Sequence, residues 1–108
     1  MNENQKITLD YLYNESKKLP NVIDLNGCRI VIEYAKIREK NILGKTYSYN
    51  VIVSNEIGVK KRQEILFHEL IHCLLVMYAP EQNTEENVRK IESEYLNEVT
   101  RLPKQVKI

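Results

Sequence analysis

The sequence predicts an α+β domain: an N-terminal helix, a small sheet of two to three strands, then two helices. Three observations carry this. Leu9, Leu12, Tyr13, Ser16 and Leu19 follow helical spacing near the start. The middle of the chain changes to β-branched, partly alternating runs. From Lys60 onward the helical period returns in two long stretches separated by Pro80. At 108 residues the chain fits a single domain, 1–108, large enough to bury a core.

The first helix is expected over Lys6–Leu19, closed by Pro20. Asn26-Gly27 is a turn signal. Cys28 to Tyr34 after it reads as a strand. Ile42-Leu43-Gly44 suggests a short strand, and Tyr47 to Val53 alternates strongly enough to read as one continuous strand. Asn55 to Gly58 is a loop. The next helix runs from Lys60 to Tyr78. The last runs from about Thr84 to Leu102, before Pro103, with an apolar stripe of Val88, Ile91, Tyr95, Val99 and Leu102.

Composition narrows the function classes. Hydrophobic residues make up 43% and charged residues 29%, the balance of a globular protein. Sixteen Lys and Arg nearly cancel fifteen Asp and Glu, and no basic stripe stands out, so direct nucleic-acid binding is not expected. Lys60-Lys61-Arg62 reads as a solvated helix start. The polar opening Met1 to Lys6 lacks the apolar region of a secretory signal. The apolar stretch Leu74 to Ala79 is too short to span a bilayer. The expectation is a cytoplasmic protein with no membrane partner, in which Cys28 and Cys73 are reduced thiols.

The chemistry concentrates in His68-Glu69-Leu70-Ile71-His72. The chain's two histidines lie at i and i+4 around a glutamate. Four residues apart on a helix is one face, so both imidazoles can converge on one zinc ion. Glu69 is rotated about 100° from His68 around the axis, beside the metal, where it can take a proton from the attacking water. The surrounding Ile65-Leu66-Phe67, Leu70-Ile71 and Leu74-Leu75 make this a buried helix. Buried His and Glu need partners, which a metal ion and its water supply.

A catalytic zinc usually has three protein ligands and one open position. With no third histidine, the remaining candidates are carboxylates, and the last helix, which follows after a short turn at Pro80, is their natural source. Glu85, Glu86 and Glu92 compete. Asn83 or Thr84 can cap that helix, and with Asn83 as cap Glu86 falls at the capping-box position, away from the apolar stripe. Glu85 sits three residues before Val88 at the edge of the stripe, and Glu92 lies one turn after it. Face geometry favours Glu85, with Glu92 next.

Arg62 to Leu75, RQEILFHELIHCLL, resembles the active-site helix of the ImmA/IrrE-type peptidases, compact HExxH zinc enzymes common in phages and mobile elements. The resemblance spans Asn50 to Leu102. It includes an aliphatic strand before the motif helix and a glutamate three residues before an apolar position on the next helix, matched here by Glu85 and Val88. It implies His68, His72 and Glu85 as zinc ligands, Glu69 as catalytic residue, and a protein or peptide substrate, often a transcriptional repressor. Tyr95 and Tyr78 are the tyrosines that could add an oxyanion donor, although core packing accounts for each. The strand Tyr47–Val53 is the expected edge for an extended substrate. The alternative from another class is a zinc-containing module that grips a protein partner without cutting it.

Overall fold

A computed structural model of the protein describes residues 2–106, with side chains as far as residue 99. Helix α1 spans Glu3–Lys17. Strands β1 (Val22–Leu25), β2 (Cys28–Ala35), β3 (Gly44–Tyr47) and β4 (Asn50–Ser54) follow. Helix α2 (Val59–Tyr78) leads through a single 3-10 turn, Pro80–Gln82, into helix α3 (Glu85–Val106). The α+β class stands, with four strands in a mixed sheet ordered β1-β2-β4-β3.

Helix α1 begins earlier than its apolar period suggests because Asn2 and Gln5 form a reciprocal capping box. It ends at Lys17, and Leu19 takes a left-handed φ of 49° immediately before Pro20. Proline disfavours αR in the residue before it, so the chain leaves the helix there.

Strand β1 is absent from the sequence expectation, although its signal is present. Asn26 (φ 50°) and Gly27 (φ 83°) form the tight turn of a β1–β2 hairpin, so a strand belongs on both sides of that pair. The larger correction concerns Tyr47–Val53. The chain turns at Ser48-Tyr49, with Ser48 at φ 56°, and Tyr47 pairs with Asn50 across the hairpin. One expected strand is therefore two antiparallel ones. Ser and Asn are turn formers, but the tyrosines and the aliphatic run around them suggest unbroken strand. The split makes β4 an interior strand, parallel to β2 on one side and antiparallel to β3 on the other. The sheet edge near α2 is β3.

Ile23, Leu25, Ile30, Ile32, Val51 and Val53 are all buried and alternate along their strands, which gives the sheet one covered face. Against it pack Leu66, Phe67, Leu70 and Ile71 of α2, joined by Leu9 and Leu12 of α1 and Val88 of α3. Tyr13, Phe67 and Tyr95, one from each helix, form an aromatic cluster with ring centroids 5.3–5.5 Å apart. Tilted contacts of this kind add to area burial. Helix α3 continues past Pro103 rather than stopping before it. Proline's fixed φ is itself helical, and the cost there is one lost hydrogen bond and crowding of an earlier carbonyl. No described helix is long and apolar enough to cross a membrane.

Candidate metal centre

Helix α2 is amphipathic in an unusual way. Leu66, Leu70, Ile71 and Cys73 have no exposed surface, and they anchor the helix in the core. His68 and His72 occupy the neighbouring face, half-buried, with ring centroids 5.2 Å apart. The helix is thus fixed by its apolar side, and the imidazoles inherit their positions from it.

The third element arrives from the start of α3. Thr84 caps that helix, its hydroxyl accepting from the Asn87 backbone N–H at 3.1 Å. Glu85, in the first turn, reaches back over α2. Its Oε1 lies 2.7 Å from His72 Nε2 and its Oε2 lies 3.2 Å from His68 Nε2. His68, His72 and Glu85 each offer an atom, and these lie within 4.8 Å of one another. Ligands held at the ~2.0–2.1 Å of Zn–N bonds in a tetrahedron are about 3.4 Å apart. The donor set and its spacing therefore fit a divalent metal ion.

The opposite ring nitrogens also face acceptors. His68 Nδ1 faces Glu92 Oε1 at 2.9 Å, and His72 Nδ1 faces Asn83 Oδ1 at 2.6 Å. Acceptor oxygens thus face both nitrogens of each ring; with a metal bound at the Nε2 side, the Nδ1 protons would go to Glu92 and Asn83. Glu92 is therefore an orienting partner of His68 on the side away from the shared centre. Asn83 orients His72 instead of capping α3. Glu86 is exposed and stays outside the cluster.

Charge follows the geometry. The Glu92 hydrogen bond raises the His68 pKa above its ordinary value, against the lowering effect of burial. Partial burial pushes the Glu85 carboxyl up, but the hydrogen bond to His72 and the nearby imidazoles outweigh it and hold Glu85 below the usual carboxylate range. Arg89, one turn on, approaches Glu85 Oε2 at 3.6 Å from solvent.

Glu69 is the only buried charged side chain among the described residues, at 7% exposure. Burial pushes its carboxyl above the ordinary value. Thr46 of β3 opposes that shift, donating its hydroxyl to Glu69 Oε1 at 2.6 Å, and His68 and His72 oppose it through their charge. The residues that sequence reasoning singled out thus meet in one place, except Glu86 and the two tyrosines. Tyr95 is buried in the aromatic cluster, and its hydroxyl donates to Asp10 Oδ1. Tyr78 is exposed, and its hydroxyl accepts from the Asn26 side chain. Both hydroxyls are engaged away from the centre.

The residues missed from sequence are Asn83 as an imidazole partner and Thr46. Asn83 carried a competing signal, that of a helix cap. Thr46 lies 23 positions before Glu69 and has no local signal that pairs the two. Compared with protein-family models, with curated proteins and with solved structures, the chain matches none of them.

Proposed function

We propose that this chain is a zinc-dependent peptidase of the ImmA/IrrE type acting on a protein or peptide substrate inside the cell. The carrying observation is that His68, His72 and Glu85 converge while Glu92 and Asn83 hold the two opposite ring nitrogens. An arrangement in which every imidazole has both nitrogens committed is the pattern of a metal site with its outer partners. Two imidazoles and one carboxylate suit zinc.

When bound, zinc would act as a Lewis acid on the scissile carbonyl and make water a better nucleophile. The residues of the chain divide the remaining work. His68, His72 and Glu85 hold the ion. Glu69 accepts the proton of the attacking water and returns it to the leaving amine. Strand β3 pairs only with β4 in the sheet order, so its outer edge is open to an extended peptide. That role, first expected of Tyr47–Val53, moves to Gly44–Tyr47, whose Thr46 touches Glu69. Ile42, Leu43 and Tyr47 are exposed apolar side chains on and beside this strand, which favours an apolar substrate segment.

The test is elemental analysis of the purified chain offered zinc, followed by proteomic cleavage profiling with Glu69→Gln as control. The expected outcome is near-stoichiometric zinc in both proteins and new peptide termini with the wild type only. Absence of zinc sinks the proposal. Zinc with a captured partner that the wild type leaves intact turns the chain into a binding module.

A further inference from the structure

Strand β3 does more than border the centre. Gly44 and Thr46 stand two residues apart and so point to the same side of the strand, toward α2. Thr46 Oγ1 donates to Glu69 Oε1 at 2.6 Å and lies 3.4 Å from the Glu69 backbone oxygen. At Gly44 there is no room for a side chain. A Cβ there would stand 2.6 Å from Ile65 Cγ2, 3.0 Å from Glu69 Cγ and 3.1 Å from Glu69 Oε2. One carboxylate oxygen is therefore gripped by a hydroxyl, while the other lies against bare backbone. Ile65 and Glu69 are one turn apart on α2, so the strand presses on one face of the helix.

We infer that Gly44 and Thr46 of the edge strand form a clamp that sets the orientation of the Glu69 carboxylate toward the metal centre, with Thr46 as the positioning residue. This rests on the peptidase reading, in which Glu69 acts on the water beside the metal. The clamp ties together two features of the strand. A glycine occupies a strand position where it costs order but lets the backbone approach Ile65 and Glu69 closely. A half-buried threonine hydroxyl is spent on a side chain 23 residues away rather than on its own backbone. A free carboxylate on a long side chain samples several rotamers, whereas one confined by a hydroxyl and a glycine wall keeps one.

The test uses benzohydroxamate, which ligates zinc through its two oxygens and donates a proton to a neighbouring carboxylate. Its affinity for the full-length zinc-loaded chain is measured by calorimetry for wild type, Thr46→Val, Thr46→Ser, Gly44→Ala and Glu69→Gln, with zinc content checked in each. Thr46→Val preserves shape and removes the donor. It is expected to retain zinc and to bind the probe about tenfold more weakly, the scale of one hydrogen bond to a charged group. Thr46→Ser restores the donor and is expected to stay within about twofold of wild type. Gly44→Ala crowds Ile65 and Glu69 without removing the hydroxyl, and decides the matter if Thr46→Val does not fold. Its weakening supports the clamp, and wild-type affinity overturns it. If Glu69→Gln weakens the probe and Thr46→Val does not, the clamp is wrong and the peptidase reading stands. If neither does, or if the wild type holds no zinc, both fall.

Discussion

The two walls of the candidate metal centre are built differently. One wall is helix α2 with strand β3. It rests on fully buried side chains such as Leu66, Leu70 and Ile71, and it carries His68, His72 and the confined Glu69. The other wall is the 3-10 turn and the first turn of α3. There Glu85 has a side-chain exposure of 56%, against 12% for His72 and 15% for His68. The contrast teaches that the imidazoles and Glu69 are placed by the core, whereas the third member of the candidate donor set is supplied from a nearly solvent-exposed element. Stability and metal affinity are therefore separable properties of this molecule, and they separate along the line between the walls.

The largest effect should come from damaging the first wall. Leu70→Ala removes a side chain with no exposed surface and should cost about 2–5 kcal/mol of folding stability. Urea denaturation of the metal-free chain checks this, and a cost under about 1 kcal/mol would mean the wall is not anchored as described. Glu85→Ala should do the reverse. It should leave metal-free stability within about 0.5 kcal/mol, as for an exposed residue. Zinc affinity, read by competition with a chromophoric chelator, should fall by more than the roughly 10–100-fold typical of an outer partner. Equal losses of stability and affinity would erase the distinction between the walls.

Glu92→Gln sharpens the comparison because Glu92 belongs to α3 but serves the first wall. It should weaken zinc binding by about 10–100-fold while the metal stays bound at saturating zinc. If it abolishes binding as completely as His72→Ala, Glu92 is a ligand rather than an orienting partner. The smallest effect is expected from Arg89→Ala. Arg89 meets Glu85 only at the surface, 3.6 Å away. Such pairs contribute little, so zinc affinity should change by less than about threefold in the same chelator competition.

Much of this arrangement is legible in the sequence wherever the signal is local. The His68–Glu69–His72 spacing fixes one helical face by itself. The stripe Val88–Ile91–Tyr95 orients α3 well enough to favour Glu85 over Glu86. What was not legible depends on tertiary pairing. Glu92 presents the same chemistry as a ligand or as an imidazole partner, and only the direction from which it meets His68 distinguishes the two. Asn83 looked like a cap because caps and imidazole partners use the same side-chain oxygen. The Ser48 turn was hidden by neighbours with high strand preference, and with it went the identity of the edge strand. Thr46 and Gly44 could not be linked to Glu69 at all, since strand register decides which residues face α2.

The tie between Asp10 and Tyr95 joins positions 85 residues apart in the chain. Tyr13 packs on the same tyrosine ring, and Tyr95 lies one helical turn beyond Glu92. Helix α1 contributes no atom to the donor set, yet it seats the part of α3 from which Glu92 addresses His68. The N-terminal helix thus works as a remote brace: a disturbance at Asp10 or Tyr13 would be felt first as a loosened imidazole, far from where it was made.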